Sequence, residues 1–244
     1  MTLDLFSSPL LLAAVFAIVV AAAIVQSGLG MGFGLTAAPL LALIDPHLVP
    51  APTLFLGMLT SIWGALRERD QIAWGEVSLG VVGRVCGVFA ATFVLAALPD
   101  HRTFTLLFGL MIAAAVLLSV IGWKFPFNRV TLLAMAGISG LLGTITSVGA
   151  PPLALIYQDR SARQARPTLA AFFAIGCILS LAGLYASGWA GLSDAMLAAM
   201  MVPPMLLGTF IARRFGTHFD KRFRPALLAV SAGAALVLIL RGVL

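Results

Sequence analysis

Charged side chains are scarce in this sequence of 244 residues, which has 15 Lys or Arg and 9 Asp or Glu, 10% in all. A soluble globular domain carries about 25% charged residues, so this class is excluded. Hydrophobic residues make up 61% of the chain, and the mean hydropathy is +1.08. The composition therefore predicts an all-α polytopic integral membrane protein whose immediate partner is the lipid bilayer.

Carboxylates are missing from the interiors of the apolar segments, because every Asp and Glu lies near the N-terminus or in a connection. Proton carriage by a buried carboxylate is therefore not predicted, and a proton or sodium ion as the coupling ion stays open. Both cysteines lie inside apolar runs, and no His, Cys, Asp or Glu residues cluster at metal-ligand spacing. The sequence predicts no metal, no cofactor and no enzyme.

The net charge of +6 comes from basic residues scattered over short connections, the pattern that orients a membrane protein. No stretch interleaves basic with exposed aromatic residues, so nucleic acid is not a predicted partner. Residues 1–8 contain Asp4 but no Lys or Arg, which is unlike the leader of a signal peptide. Segment 9–26 is therefore predicted to belong to the mature membrane structure.

Apolar segments alternate with short connections rich in Pro and charged residues, and no soluble domain lies among them. Most segments approach the roughly 20 residues that cross a bilayer, but 130–143 and 144–157 are shorter and are interpreted as half-helices. The predicted segments are 9–26, 27–44, 51–66, 76–98, 103–122, 130–143, 144–157, 167–187, 193–212 and 225–241.

The chain contains an internal repeat. Residues 38–44 read Ala-Pro-Leu-Leu-Ala-Leu-Ile, and residues 150–156, which lie 112 positions later, read Ala-Pro-Pro-Leu-Ala-Leu-Ile. Ser27-Gly28-Leu29 matches Ser139-Gly140-Leu141 in the same register. We therefore predict two homologous halves, 1–122 and 123–244, which is the usual architecture of secondary transporters with a site between the halves.

Two arrangements of the repeat are open. In the first arrangement, segments 9–44 and 130–157 each cross the membrane once, which places nine Lys or Arg residues on one side and five on the other. In the second arrangement, each segment returns to the side from which it entered, and the counts are twelve and two. The positive-inside rule favours the second arrangement. We therefore predict inverted repeats, each made of a broken, re-entrant helical hairpin and three transmembrane helices, with both termini outside.

The stretch from residue 26 to residue 44 holds glycines at alternate positions between apolar runs. Each glycine costs a helix interior about 1 kcal/mol relative to alanine, so we predict a broken helix there, with a second at 139–156. Two such breaks meeting near the midplane would present helix N-termini to an anion, with glycine letting the backbone come close. The hydroxyl and amide groups available are those of Gln26, Ser27, Thr36, Ser139, Thr144, Thr146 and Ser147. Alternatively, such glycines serve close helix packing, which we favour for Gly80, Gly83 and Gly87.

Arg84 is the only ionisable residue well inside an apolar span. Charged side chains at this depth usually face the protein interior or a water-filled path, and a guanidinium can pair bidentately with an oxyanion. Arg84 is therefore predicted to bind the substrate anion. The alternative is that Arg84 extends towards the membrane interface.

The doubled elements Ser-Gly-x-Gly-x-Gly-x-Gly…Ala-Pro-Leu and Ser-Gly…Gly-Ala-Pro-Pro-Leu, each followed by a Pro-Thr-Leu helix, resemble the sulfite exporter TauE/SafE family of transporters over nearly the whole chain. The resemblance implies transport of sulfite, sulfoacetate or other organosulfonates across the bacterial inner membrane. On the matching positions it implies a first half-site of Ser27, Gly28, Gly30, Gly32, Gly34 and Pro39. The implied second half-site is Gly140, Thr144, Thr146, Ser147, Gly149 and Pro151.

Three hypotheses of function remain open at this point. The first is a secondary transporter of a small sulfur-containing anion that works by alternating access. The second is an anion channel built from the same helix ends, and the third is a non-transporting membrane subunit that binds a partner through the basic segment 213–224. The sequence also leaves open the identity of the anion, the direction of transport and assembly as a homodimer.

Overall fold

A computed structural model describes residues 8–29, 31–215 and 223–243, and this part of the chain is all-helical. Short 3₁₀ turns at Pro46–Leu48 and Arg69–Gln71 join neighbouring helices. The α-helices of the described residues are α1 (Pro9–Leu29), α2 (Phe33–Ile44), α3 (Ala51–Arg67), α4 (Trp74–Ala96), α5 (His101–Ile121), α6 (Arg129–Thr146), α7 (Ala150–Tyr157), α8 (Ala162–Ala186), α9 (Leu192–Phe215) and α10 (Phe223–Val243).

Eight helices of the described chain are long and apolar enough to cross a membrane, all except α2 and α7. Many large apolar side chains on their outer faces are exposed, among them Phe89, Phe93 and Phe210. A water-soluble monomer rarely exposes contiguous apolar patches of this extent, whereas lipid covers them without cost. The prediction of an all-α polytopic membrane protein is confirmed.

Polar side chains begin two of these helices. The Asp100 carboxylate precedes α5 and accepts a hydrogen bond from the backbone N–H of Thr103 at 2.7 Å. The Asn128 amide oxygen precedes α6 and accepts from the backbone N–H of Thr131 at 2.9 Å. Each cap satisfies one of the N–H groups that a helix start leaves without an intrahelical partner.

The helices pack in pairs that cross from the first half of the chain to the second. The most extensive contacts join α4 to α6, α5 to α10, α3 to α8 and α1 to α9. Glycines allow two of these contacts, because a Cβ atom at Gly83 or Gly87 would overlap a backbone carbonyl of α6, and one at Gly208 would overlap the carbonyl of Val20. The packing interpretation of Gly83 and Gly87 is therefore confirmed.

The two ends of the bundle differ in charge. We call one the basic end, because Arg67, Arg166 and Arg213 line a common cavity there. Ion pairs at the same end join Lys124 to Asp159 and Arg160 to Glu76. At the opposite end, Arg102 donates to the carbonyls of Gly242 and Val243, and Arg241 donates to the carbonyl of Leu43. Arg67 and Arg213, which the single-crossing arrangement would separate, thus lie together.

The positions of both helix breaks differ from the predicted ones. The first break follows Leu29 rather than residue 26, because Ser27 and Gly28 continue α1, and the glycine penalty of about 1 kcal/mol is small beside the packing of an apolar helix. The second break lies at 147–149 rather than at 143. The interpretation of segment 130–143 as a half-helix is therefore wrong, since α6 has 18 residues, while α7 has only 8.

Candidate functional site

Both helix breaks contain a residue in the left-handed region of backbone conformation. Gly32 immediately precedes α2 with φ of 113°, a value that glycine adopts without steric cost. Ser147 immediately follows α6 with φ of 64°, which is uncommon for a residue with a Cβ atom. The Ser147 hydroxyl donates to the carbonyl of Pro50 at 2.8 Å, and this bond holds the second break against the start of α3.

The two breaks touch each other. The backbone of Gly34, in the first turn of α2, lies against the carbonyl group of Ser147, and a Cβ atom at Gly34 would overlap that carbonyl oxygen. Only glycine fits at this position without moving one break away from the other. The predicted meeting of the two elements is therefore present, at Gly34 rather than along the whole glycine run.

The Gln26 side chain holds the two sides of the first helix break together. Its Oε1 accepts a hydrogen bond from the backbone N–H of Phe33 at 3.0 Å, and its Nε2 donates to the hydroxyl of Ser61 at 3.2 Å. The side chain thus joins the end of α1 to the start of α2 and to α3. Gln26 is only 6% exposed, so both polar ends of its amide are paired inside the protein, as burial requires.

A small cavity of about 40 Å³ lies where the breaks meet, and we call it the central cavity. This volume accommodates a few water molecules. Its lining mixes backbone of the two breaks with one amide and two hydroxyls, so it can donate hydrogen bonds without a fixed charge on its wall. The lining residues are Gln26, Gly32, Phe33, Gly34, Leu35, Gly57, Ser61, Ser147, Val148, Gly149, Ala150, Phe173 and Cys177.

Five of the predicted site residues line the central cavity, namely Gln26, Gly32, Gly34, Ser147 and Gly149. Sequence reasoning missed Ser61, which is 2% exposed, and also missed Cys177. A signal for Ser61 existed, because a polar residue inside an apolar span is uncommon and points towards the protein interior. Cys177 carried no such signal, since a free cysteine behaves as a small hydrophobe.

Hydroxyl groups of the second half support the cavity wall from behind. The Ser139 hydroxyl donates to the carbonyl of Gly149 at 2.6 Å. The Thr146 hydroxyl donates to the carbonyl of Leu142 and accepts from the backbone N–H of Val148 at 3.1 Å. The Thr144 and Ser180 hydroxyl oxygens lie 2.8 Å apart. Ser139 and Thr146 thus hold the second break, and Thr144 joins α6 to α8. None of these three predicted residues lines the central cavity.

Arg84 lies behind the same wall and is 1% exposed. Its Nη1 donates to the carbonyl and the hydroxyl of Ser139, each at 3.0 Å. Its Nη2 donates to the carbonyl of Gly176 at 3.3 Å and to the hydroxyl of Ser180 at 3.0 Å. The alternative in which Arg84 extends to the interface is therefore wrong, because the side chain turns into the protein between α6 and α8.

The guanidinium of Arg84 fits a space that three glycines leave open. A Cβ atom at Gly143, Gly149 or Gly176 would lie 2.9 Å from a guanidinium nitrogen. Gly149 also lines the central cavity, so only the thickness of one backbone separates that cavity from Nη1. No ion pair of the described residues involves Arg84, and its Nε has no hydrogen-bond partner. A positive charge without a carboxylate partner therefore stands beside the cavity.

The remaining predicted residues lie outside the central cavity. Thr36 is buried and donates to the carbonyl of Gly32, and Gly140 packs against the backbone of α4. Pro39 and Pro151 are buried within α2 and α7. Gly28 is partly buried in the last turn of α1. Gly30 lies outside the described residues.

A second cavity, lined by several charged and polar side chains, extends from Gln26 and Ser27 towards the basic end, and we call it the basic vestibule. Ser27 lines it, and the Ser27 carbonyl accepts a hydrogen bond from Arg166 Nη2 at 3.2 Å. Arg166 also approaches the Glu68 carboxylate at 4.0 Å. The lining residues are Gln26, Ser27, Thr60, Trp63, Gly64, Arg67, Glu68, Arg166, Pro167, Ala170, Thr209 and Arg213.

Comparison with protein families gives one match that spans most of the chain. Residues 15–238 match the family model described as "Sulfite exporter TauE/SafE". Neither the curated proteins nor the solved structures contain a match to this chain. The matched range includes both helix breaks, Arg84 and the helices that line the two cavities. The chain belongs to the sulfite exporter TauE/SafE family.

Proposed function

We propose that this protein is a secondary transporter of small sulfur-containing anions, such as sulfite, sulfoacetate or another organosulfonate. Membership of a family of sulfite exporters supports a membrane transporter of sulfur-containing anions. The single observation that carries the finer proposal is the contact of the two helix breaks at Gly34 and Ser147. They meet beside a small cavity that is lined by one amide and two hydroxyls and has Arg84 behind its wall. Helix starts and a guanidinium are both groups that attract anions.

The transporter consists of two inverted repeats, residues 1–122 and 123–244. The helix pairs support this division, because each has an equivalent in the other repeat. If α1 to α5 correspond in order to α6 to α10, the contact of α4 with α6 corresponds to that of α9 with α1. Under the same correspondence, α3 is the equivalent of α8, and α5 is the equivalent of α10. The contacts of α3 with α8 and of α5 with α10 therefore each join a helix to its own equivalent in the other repeat. Gly87 and Gly208, 121 positions apart, make equivalent close contacts.

The basic end faces the cytoplasm, and the protein resides in the inner (plasma) membrane. The positive-inside rule supports this orientation, because the connections that carry most of the Lys and Arg residues meet at that end. Each repeat then contributes a re-entrant hairpin, α1–α2 or α6–α7, and three crossing helices. Helix breaks at such depth are tolerated only where protein or a watery cavity surrounds them.

The bound anion occupies the central cavity and accepts hydrogen bonds from N–H groups at the start of α2, from the N–H of Ala150 and from the neighbouring hydroxyls. Pro151 and Pro152, next in α7, have no N–H to donate. Arg84 acts through the backbone of Gly149 and stabilises the negative charge without direct contact in this conformation. The cavity of about 40 Å³ holds only a few water molecules, so an organosulfonate requires its walls to move apart. Alternating access requires one hairpin-bearing bundle to move relative to the other. The small volume of the cavity favours this mechanism over a permanently open anion channel.

Thermal unfolding of the purified protein tests the anion class. A ligand that binds only the folded state raises the melting temperature by mass action. We expect sulfite, sulfoacetate or taurine to raise it, and sulfate, acetate and chloride to leave it unchanged. A shift that also disappears in Gly34→Ala would connect the binding to the helix breaks. The absence of a shift with every sulfur-containing anion would contradict the proposed substrate class.

Reconstitution into liposomes tests the transport mechanism. A secondary transporter gives saturable uptake that rises when the opposite side contains unlabelled anion, whereas a channel gives large electrical currents without such stimulation. Because the purified chain is the only protein present, uptake would also exclude a role restricted to binding another protein. We expect saturable, trans-stimulated exchange of the anion that stabilised the protein.

A further inference from the structure

We propose that the Gln26 side chain is the gate between the central cavity and the basic vestibule, and that a passing anion displaces it. The inference rests on the proposed function for the identity of what passes. The gate itself is inferred from the positions and hydrogen bonds of the described side chains. It adds a defined moving part, and a route on the basic side, to the proposed anion site.

Gln26 lies at the junction of the two cavities. Among the described residues, Gln26 alone lines both the central cavity and the basic vestibule. On the cavity side its neighbours include Phe33 and Ser61, and on the vestibule side they include Thr60 and Arg166. An anion that leaves the central cavity towards the basic end therefore has to pass this side chain.

The amide oxygen of Gln26 accepts a hydrogen bond from a backbone N–H that would otherwise be available to the anion. This oxygen, Oε1, accepts from the N–H of Phe33, the first residue of α2. An N–H at a helix start is a preferred donor to an oxyanion oxygen. The amide oxygen thus holds the place of an anion oxygen in the closed conformation. Binding of an anion at this N–H and closure by Gln26 exclude each other, so arrival of the anion opens the gate.

A neutral amide suits this role better than a charged side chain. A basic residue at the junction would retain an anion by Coulomb attraction, and an acidic one would repel it. The Gln26 amide is held by two hydrogen bonds only, one to Phe33 and one to Ser61. Hydrogen bonds between neutral groups contribute modestly, so the side chain can be released and restored during each transport cycle.

The charges of the basic vestibule match its role as the route to the gate. Three guanidinium groups, those of Arg67, Arg166 and Arg213, line it together with a single carboxylate, that of Glu68. A cleft lined by an excess of one sign raises the local concentration of counter-ions. Arg166 donates to the carbonyl of Ser27, directly after Gln26, so its positive charge lies close to the gate.

Native cysteine chemistry provides the test. The chain has two cysteines, of which Cys177 lines the central cavity and Cys86 is exposed on the outer face. In a Cys86→Ala background, Cys177 is the only thiol. Methanethiosulfonate ethyltrimethylammonium is a membrane-impermeant cation that reacts with this thiol and cannot take the place of the displacing anion. The rate of Cys177 modification is measured by intact-protein mass spectrometry in inside-out vesicles, which expose the basic end, and in right-side-out vesicles.

Gln26→Ala removes both hydrogen bonds of the gate. We expect it to raise the rate of Cys177 modification from the basic end about tenfold, and to leave the rate from the opposite end unchanged. The matched control is Thr92→Ala in α4, which lines neither cavity, because the Thr92 hydroxyl bonds to the carbonyl of Phe89 in its own helix. The rate of Cys177 modification in this control variant should stay within about twofold of the parent rate, since the lost hydroxyl does not connect its helix to another one.

The proposal would be overturned by an unchanged rate in Gln26→Ala, or by rapid modification of the parent protein from the basic end. If Gln26→Ala does not give a monodisperse protein, Ser61→Ala decides, because it removes only the acceptor of Nε2 and should still raise the rate. The labelling is independent of transport. If Gln26→Ala is labelled faster but the protein exchanges no anion in liposomes, the gate is supported and the proposed function is rejected. If the protein exchanges anions but Gln26→Ala is labelled at the parent rate, the proposed function is supported and the gate is rejected.

Discussion

Arg84 Nη2 lies 3.0 Å from the hydroxyl oxygen of Ser180, although the two residues are 96 positions apart in the sequence. The same guanidinium reaches Ser139 through Nη1, so one side chain of α4 joins α6 and α8 at the level of the second helix break. The planar fork of arginine makes both contacts at once, and a lysine ammonium cannot. Arg84 therefore combines a positive charge with a geometric role in positioning the break.

Replacement of Arg84 separates these two roles. Arg84→Ala should lower anion transport about hundredfold or more, because a buried positive charge beside the cavity is lost. The protein should still insert and fold, since the Ser139 hydroxyl keeps its bond to Gly149, and Ser180 keeps its contact with Thr144. Arg84→Lys should retain part of the activity through its charge. Liposome uptake gives the measurement, and wild-type uptake by Arg84→Ala would contradict the role.

Gly34→Ala should push the two helix breaks apart. The added Cβ atom would overlap the Ser147 carbonyl, which belongs to the backbone and cannot rotate away. Overpacking of this kind costs about 1 to 3 kcal/mol, and we expect a lower melting temperature and loss of anion uptake.

The matched control for this change is Gly233→Ala in α10, where a Cβ atom would meet nothing within 4 Å. That variant should be neutral or stabilising by up to about 1 kcal/mol, as expected for alanine in an open helix position. Equal effects of the two substitutions would show that close contact at Gly34 is unimportant.

Tyr157→Phe should loosen the far end of the second hairpin. The Tyr157 hydroxyl donates to the Glu76 carboxylate at 2.8 Å and ties α7 to the start of α4. Loss of a hydrogen bond to a charged group should cost about 1.5 to 3 kcal/mol and increase hydrogen exchange of residues 150–157. Tyr185→Phe removes a hydroxyl bond to the Gly191 carbonyl at the opposite end and should leave that exchange unchanged.

The same contact predicts a pH dependence. Burial, together with the hydrogen bond to Glu76, raises the pKa of Tyr157 above its ordinary value of 10.0. A group whose pKa is raised by folding adds stability below its unfolded pKa and loses it as the pH rises further. The melting temperature should therefore fall more steeply above about pH 10 in the wild type than in Tyr157→Phe. Parallel curves for both proteins would contradict this contribution.

Asp100 predicts the opposite dependence. The backbone N–H of Thr103 bonds to the Asp100 carboxylate and lowers the pKa of that group below 3.8. A lowered pKa adds stability above the unfolded value and loses it as the pH falls through the native value. Asp100→Asn keeps a capping oxygen but cannot titrate. Acid melting curves should therefore be flatter for Asp100→Asn, whereas Asn128→Asp at the cap of α6 should make them steeper.

The sequence was sufficient for the class, the number of apolar segments and the approximate positions of both breaks, because composition and the internal repeat are local signals. The sequence did not predict the lengths of the helices on either side of each break. Gly28 remains helical because packing outweighs its low helix propensity, and propensity alone cannot show this. The left-handed residue of the second break is Ser147, where a sequence pattern would favour glycine.

The composition of the site was only partly predictable. Gln26, Gly34 and Ser147 carried visible signals in the repeat, and they line one cavity. Ser61 reaches the cavity only because α3 lies beside the first break, and the partners of Arg84 come from helices far along the chain. These contacts depend on how the helices pack, which a single sequence leaves undetermined.

Arg84 also has an electrical consequence for the proposed cycle. Because no described carboxylate pairs with this guanidinium, the empty site carries one positive charge, and binding of a monovalent anion makes it neutral. A full crossing of the membrane potential by one charge involves about 2.3 kcal/mol per 100 mV. Under the proposed alternating-access mechanism, we therefore expect return of the unloaded carrier to depend on voltage and movement of the loaded carrier to be independent of it.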